Sequence, residues 1–182
     1  LVVQLFDRIV FLNEECKRSD ELPRCGFARA FAETRPWYPS SNHPPGGAWA
    51  AHRMLFRKFG GLYDRLVSGG ADCFCSGAFI NAGMHNPVLG QCNQDIVDDY
   101  TEYADGIGQY VRADIGYTDD IVFHLWHGSR ENKQYRQRMD YMLDFAPKKD
   151  LRVADSGLYE WSGKNRSANF KKYFSDRKED TP

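Results

Sequence analysis

The stretch GGAWAAHRMLFRKFGGLYD, residues 46–64, does most to predict the fold of this chain. Two prolines at positions 44–45 stiffen the approach, and the paired glycines leave the backbone bare before a run of helix-forming residues. Apolar side chains then recur at helical spacing, and Gly60–Gly61 supplies a stop signal. The pattern predicts a glycine-rich loop that leads into a helix over Ala48–Phe59.

The glycine pair at the start of this stretch has two interpretations. Bare backbone at Gly46 and Gly47 lets a ligand approach closely, and a helix N-terminus behind it presents unpaired amides to an anion. Alternatively, the segment is an ordinary junction between a loop and a helix, in which Trp49 is a core aromatic residue. The segment alone leaves both interpretations open.

A second glycine pair precedes a carboxylate in SGGAD, residues 68–72. The glycines, including Gly70, permit a tight turn, and Asp72 begins a helix predicted over Asp72–Ala82. A carboxylate held in a cleft can accept the proton of a substrate hydroxyl as that hydroxyl attacks. The competing interpretation is that Asp72 only caps the helix and meets the positive end of its dipole.

Two histidines stand three residues apart in HLWHG, residues 124–128, at the end of a strand predicted over Ile121–Leu125. In an unbroken strand such residues point to opposite faces, so both imidazoles reach one ion only if the chain bends, as Gly128 permits. Neutral imidazole is a good ligand for Mn, Zn or Fe. The alternative is one packed histidine and one exposed histidine, His124 and His127 having no shared role.

A basic stretch follows the histidines, at the start of a helix predicted over Glu131–Phe145. Cations near a helix start oppose the helix dipole, so a phosphate partner would rationalise them. A solvated charged face is the alternative interpretation. The cations are Arg130, Lys133, Arg136 and Arg138.

Elsewhere the sequence predicts a single α/β or α+β domain over residues 1–182, because the length suits one core and no linker divides it. Residues 1–12 are apolar and partly β-branched, which predicts a buried strand and turn or a short helix. Residues 13–45 carry five prolines and predict a long loop. Residues 94–109 show an amphipathic helical stripe, and residues 166–182 predict a short helix with a charged tail.

Charge, hydropathy and cysteine content exclude several classes of protein. Lys and Arg number 24 against 25 Asp and Glu, so no overall positive field favours a nucleic acid. No apolar run approaches the length of a membrane span. Five cysteines without dense spacing predict reduced thiols and a cytoplasmic protein, and the single residue between Cys73 and Cys75 is too short a gap for a zinc motif.

Taken in order, these segments resemble the C-terminal half of the catalytic domain of inverting, GT-A-type glycosyltransferases, particularly the β-1,4-galactosyltransferase type. In that family a GG(V/A)-x-A segment leads into a helix, a GGED segment follows, and a metal-binding histidine precedes a basic stretch. The chain also resembles a group of glycosyltransferase-like proteins, some encoded by phages, that carry VVQ-F, AWAA-R, GGLYD and H-WHG-R-N-Y-R. The resemblance covers nearly the whole chain and implies helices packed on a small mixed sheet.

The resemblance implies a role for each matching residue. Asp72 falls on the catalytic base, and His127 on a metal ligand, with a further metal-coordinating side chain at His124. The implied metal is Mn or Mg, the implied donor a nucleotide-diphosphate sugar, and the implied acceptor a carbohydrate or another hydroxyl compound. The positions implied for donor or substrate contacts are Gly46, Gly47, Trp49, Gly70, Arg130 and Lys133.

Two departures from the family pattern limit what the resemblance implies. Ala71 stands where the family has the glutamate that contacts the acceptor sugar. No D-x-D motif precedes the glycine loop, so we expect an N-terminally truncated catalytic domain that is inactive alone, its donor-binding half lying elsewhere or on a partner chain. Two alternatives stay open: a non-catalytic carbohydrate-binding or assembly module, and a metal-dependent hydrolase that uses His124, His127 and a carboxylate.

Overall fold

A computed structural model describes residues 2–19, 22–36, 38, 42–129, 131–135, 137–163 and 167–177. Within them the chain is a mixed α/β structure in which helices pack beside small sheets. Arg130, Arg136 and the charged tail at 178–182 lie outside the described residues. None of the helices in the described ranges combines the length and the hydropathy that crossing a bilayer requires.

The described strands form three small sheets, and the first two carry the residues of interest. Their strands are β1 (Val2–Gln4), β2 (Arg8–Phe11), β3 (Arg24–Cys25), β4 (Trp49–Ala51), β5 (Ile115–Tyr117) and β6 (Ile121–His124). In the order β4-β1-β5, the first strand pairs antiparallel with β4 and parallel with β5. In the order β3-β2-β6, the second strand pairs antiparallel with β3 and parallel with β6. The third sheet is a hairpin of β7 (Leu151–Val153) and β8 (Tyr159–Trp161).

The first two sheets continue into each other along the chain. Residues 2–11 run parallel to residues 115–124, and the break between the sheets is bridged by backbone hydrogen bonds. Thr118 N–H donates to the Gln4 carbonyl at 3.1 Å, and Asp7 N–H donates to the Asp120 carbonyl at 2.9 Å. Of the two alternatives for residues 1–12, the strand is therefore confirmed.

Helices supply most of the core. They are α1 (Phe27–Thr34), α2 (Arg53–Phe59), α3 (Ala71–Phe79), α4 (Gln94–Val111), α5 (Pro147–Asp150) and α6 (Ser167–Arg177). The amphipathic stripe predicted on α4 is confirmed, because Ile96, Tyr100 and Ile107 are fully buried. The Tyr100 ring meets Phe74 of α3 edge-on at 4.5 Å, so α3 is held against the longest helix.

A buried carboxylate ties the segment before α3 to α4. The hydroxyl of Tyr63 donates to Asp99 at 2.9 Å, and the Arg65 guanidinium pairs with the same carboxylate, which is fully buried. A buried carboxylate must be paired and hydrogen-bonded to be tolerated. These contacts fix the position of the chain just before the SGGAD turn.

The prediction of an unbroken loop over residues 13–45 is wrong between residues 24 and 34, where β3 and α1 form. The helix buries Phe27 and Phe31 on one face, with alanines beside them. Apolar residues spaced four apart form a face that packs on the core. The prolines, on which the loop prediction rested, flank the helix and do not interrupt it.

The helix predicted over Ala48–Phe59 is correct only from Arg53 onward. Residues Trp49–Ala51 instead form β4, because β1 offers them an edge to pair with. His52 then separates strand from helix: its Nδ1 accepts the Met54 N–H at 3.3 Å and caps α2. The tertiary pairing therefore overrode the local helical propensity of the alanines.

The helix predicted over Glu131–Phe145 is also wrong. Residues 131–135 form turns, and Gln137–Met142 form a short 3₁₀ helix. Gln134 adopts a φ of 47°, which an α-helix cannot contain. Met139 and Met142 are nevertheless buried as the pattern predicts, whereas Tyr135 and Leu143 are each 50% exposed. The predictions for α3 and β6 are confirmed to within three residues at each end, and the short helix predicted within residues 166–182 is α6 (Ser167–Arg177).

Candidate functional site

The carboxylate of Asp72 lies directly against the glycine-rich loop. A Cβ added at Gly46 would stand 2.8 Å from Asp72 Oδ2, so a side chain at that position would displace the carboxylate. Asp72 is an exposed residue in the first turn of α3, and its Oδ1 accepts the Cys73 N–H at 2.9 Å. The structure therefore brings together the glycine loop and the acid that the sequence analysis singled out separately.

Gln4 fixes the position of that loop. Its side chain is fully buried, and its Nε2 donates to the carbonyls of Pro44 at 3.2 Å and Gly46 at 3.3 Å. Its Oε1 accepts the Ala28 N–H at 2.9 Å. The sequence analysis missed this residue, although a polar side chain in the otherwise apolar VVQLF was a usable signal.

Gly47 is required by both its conformation and its surroundings. Its φ is +101°, and an added Cβ would lie 2.7 Å from Cε1 of Phe6, a fully buried ring. Trp49 secures the loop from the other side, since its indole N–H donates to the Pro45 carbonyl at 2.7 Å and its ring meets Phe79 edge-on at 5.6 Å. The core-aromatic alternative thus describes the contacts of Trp49, and its role in donor binding stays a prediction.

The second glycine pair lies beneath a guanidinium. Gly69 and Gly70 have φ of +100° and +94°, a conformation that side chains rarely adopt. A Cβ added at Gly69 would lie 3.0 Å from Arg138 Nη1, and one at Gly70 would lie 3.9 Å from Arg138 Nη2. The turn before Asp72 is therefore shaped to let Arg138 lie close to its backbone.

The thiols near Asp72 are protonated. Burial raises the pKa of Cys73 to about 12, and the Asp72 carboxylate raises it further, against smaller lowering effects from Tyr38 and Arg138. Burial likewise raises the pKa of Cys75 to about 11. Such thiols are poor nucleophiles and poor metal ligands. All five cysteines are free, as the reduced-thiol prediction expects.

The two histidines meet at the end of β6. The strand ends at His124, the chain bends, and Gly128 adopts a φ of +94°. The Nε2 atoms of His124 and His127 are consequently 3.3 Å apart, and both side chains are half-buried. The bend is the condition under which the sequence analysis allowed both imidazoles to reach one ion, and the alternative of one packed and one exposed ring is wrong.

The charge state of His124 follows from its environment. Burial lowers the pKa of His124, and the neighbouring His127 and Lys133 lower it further. The His124 ring also packs against Phe11, with ring centroids 4.9 Å apart. A histidine with a lowered pKa is neutral at physiological pH, which is the form that binds metals.

Lys133 belongs to the same cluster. Its side chain is only 8% exposed, and its Nζ lies 3.2 Å from His127 Nε2. The solvated-face alternative therefore fails for Lys133. Its backbone N–H donates to the Ser129 carbonyl at 3.2 Å, which closes the turn that brings the ammonium back to the histidines.

The spacing of the two imidazole nitrogens lies within the range for two ligands of one ion, and it is also a hydrogen-bond distance. Two nitrogens each ~2.1 Å from an ion lie ~3.0 Å apart at a right angle and ~3.4 Å apart at a tetrahedral angle. The observed Nε2 separation of 3.3 Å falls in this range. Within the described residues, no group of three or more His, Cys, Asp or Glu side chains that could hold a metal ion comes together.

Two cations that follow the histidines in the chain reach the two clusters separately. Lys133 reaches the histidines, and Arg138 reaches the Gly69–Gly70 turn beside Asp72. The helix predicted over Glu131–Phe145 would have placed these cations along one helix axis, whereas the observed turns at 131–135 and the 3₁₀ helix at Gln137–Met142 direct them to two sites.

No family model, curated protein or solved structure matches this chain.

Proposed function

We propose that this chain carries the acceptor and metal side of a GT-A-type glycosyltransferase, which transfers a sugar from a nucleotide-diphosphate donor to a hydroxyl acceptor. The observation that carries the proposal is the approach of the Asp72 carboxylate to the bare backbone of Gly46. The histidine pair at the end of β6 supports it, because a metal-dependent transferase needs neutral nitrogen or oxygen ligands near its donor.

In the proposed reaction Asp72 is the general base. Its carboxylate accepts the proton of the acceptor hydroxyl while that oxygen forms a bond to the anomeric carbon of the donor. The bond from that carbon to the diphosphate oxygen breaks, and the nucleoside diphosphate leaves with the electron pair. Attack from the face opposite the leaving group inverts the anomeric configuration. The Cys73 N–H holds Oδ1, which leaves Oδ2 beside the loop for the proton.

The glycine loop suits the donor side of this reaction. Gly46 and Gly47 present backbone without side chains, so a donor sugar or diphosphate can lie close to the carboxylate. The contacts of Gln4 and Phe6 keep the loop in place before substrate binds, which lowers the cost of ordering it during the reaction.

His124 and His127 would hold the divalent ion. When bound, the ion would neutralise the negative charge of the diphosphate as it leaves. Imidazole favours Mn over Mg, which prefers oxygen ligands. The Lys133 ammonium, held beside the pair, would donate to the phosphate oxygens as a second source of positive charge.

The proposal is tested on the full-length protein with a panel of nucleotide-diphosphate sugars and Mn. We expect release of nucleoside diphosphate that depends on both the metal and Asp72, and NMR of the product should show an inverted anomeric centre. Donor turnover that is the same in Asp72→Asn as in the unaltered protein would contradict the assignment of the base. Retention of configuration would contradict a single displacement.

A further inference from the structure

Arg138 is a cation whose charge the described part of the chain does not neutralise. Its guanidinium stacks on the Tyr135 ring, with Cζ 4.8 Å from the ring centroid, and lies over the Gly69–Gly70 turn. Its Nε is covered by neighbouring atoms and has no hydrogen-bond partner. No described carboxylate lies within salt-bridge distance of it, whereas Arg8, Arg29, Arg65 and Arg152 all have one.

Neighbouring groups restrict the position of this guanidinium. Arg138 is half-buried, and its aromatic contact and the bare glycine backbone confine it on two sides. An arginine that is ordered yet unpaired is costly for a protein, because a partly desolvated cation needs an anion or several acceptors. The planar fork of its donors matches a carboxylate or a phosphate.

The glycine turn beneath this cation leads directly into the proposed base. Gly70 precedes α3 and Asp72 lies in its first turn, while Ala71 between them brings no charge. We propose that Arg138 binds an oxyanion, a carboxylate or a phosphate, on the acceptor sugar, so that the enzyme selects acidic acceptors. This inference rests on the proposed function, since it places the acceptor beside Asp72.

The acceptor is a better source of this anion than the donor diphosphate. The donor side already has its own buried ammonium, Lys133, at the histidine pair. Arg138 lies instead over the Gly69–Gly70 turn, which immediately precedes the helix that carries Asp72. An acidic group on the acceptor would pair with Arg138 and orient the acceptor hydroxyl toward the carboxylate.

Binding of small sugars tests the inference without any turnover. The probes are D-glucuronate and glucose 6-phosphate, with D-glucose as the neutral match and UDP as the donor-side match, titrated into the full chain by NMR. The variants are Arg138→Gln, Arg138→Lys and, as a control, Arg57→Gln on the exposed face of α2. Circular dichroism and thermal melting establish that each variant folds.

We expect at least one acidic sugar to bind the unaltered chain more tightly than glucose, and its affinity to fall about tenfold to hundredfold in Arg138→Gln. Arg138→Lys should retain part of this affinity, and Arg57→Gln all of it. Equal binding of acidic and neutral sugars, or a loss in Arg138→Gln confined to UDP, would overturn the inference. Because these readouts need no sugar transfer, a failure of the proposed function would not be mistaken for a failure of this site.

Discussion

The residues around Asp72 and those around the histidine pair form two clusters that are built in different ways. The residues around Asp72 are held in place by buried groups. Fully buried Gln4 and Phe6 fix the glycine loop, and α3 is packed against α4. The histidine pair is carried by β6 and the residues after it. Among the described strands, β6 pairs only with β2. Phe123 in β6 is 60% exposed, and Leu125 just after it is 64% exposed. The first is prearranged by the fold, whereas the second is a pair of half-buried histidines at the end of a sheet-edge strand.

Because the two clusters are built differently, substitutions in them should have different effects. Groups held by buried hydrogen bonds contribute to folding and to function at the same time, so substitutions there affect both. Groups at an exposed edge carry little packing energy, so substitutions there should affect ligand binding alone. The following experiments separate the two kinds of response.

The largest effect is expected for Asp72→Asn. The amide cannot take up the acceptor proton, so the rate of transfer should fall about a thousandfold, near the middle of the range for general-base catalysis. Donor and metal binding should change little, because the residue is exposed and nearly isosteric. The comparison is Asp105→Asn, an exposed carboxylate on α4, which should retain full activity. A loss of donor affinity equal to the loss of rate would instead make Asp72 a binding residue.

Gln4→Leu should destabilise the fold by about 3 kcal/mol, because two carbonyls and one N–H lose their buried partner. Urea denaturation monitored by tryptophan fluorescence measures the change. Gln109→Leu, at an exposed position of α4, should change stability by less than about 0.5 kcal/mol. Equal stabilities for the two variants would show that the loop does not depend on Gln4.

His127→Ala should weaken Mn binding by about tenfold to hundredfold, and His124→Ala by less, with little change in thermal stability. Isothermal titration of the full-length protein measures the affinities, and exposed His85→Ala is the matched control. Unchanged affinity in both variants would remove the metal assignment. Zinc that copurifies tightly and resists chelation would favour the hydrolase alternative.

Gly46→Ala should have the smallest effect, about a tenfold fall in kcat with nearly unchanged stability. The new methyl group would meet Asp72 Oδ2 at 2.8 Å, and the flexible carboxylate would yield rather than the backbone. Gly90→Ala is the control, because an added Cβ there has nothing within 4 Å. If both variants retain full activity, the contact between the loop and the base has no role in turnover.

The sequence predicted best what depends on local periodicity. The α4 stripe and the strand at β6 follow from repeats that pack on one core, and the structure confirms both. Sequence periodicity could not anticipate the pairing that turns Trp49–Ala51 into a strand, because β1 lies 45 residues away along the chain. Nor could it reveal that residues 131–135 turn rather than coil into a helix, since the buried Lys133 contact with His127 is tertiary.

For the candidate site, the sequence identified the residues by type and order, but it did not show which of them lie close together. Asp72, Gly46 and the two histidines could be named from their motifs, but only the fold shows the carboxylate against the loop and the imidazoles in contact. Gln4 and Arg138 gave weaker signals, because the hydrogen-bond partners of the Gln4 amide and the glycine turn beneath the Arg138 guanidinium are distant in sequence.

The side-chain amide of Gln4 has a further consequence for how motion at the loop can be observed. The same group that holds the Gly46 carbonyl also accepts the Ala28 N–H, 24 residues along the chain, at the start of α1. Any opening of the loop that releases the Gln4 side chain also exposes the Ala28 N–H to solvent. The hydrogen-exchange rate of the Ala28 N–H therefore reports the opening of the glycine loop from a distant position, and it can be measured even when no substrate is known.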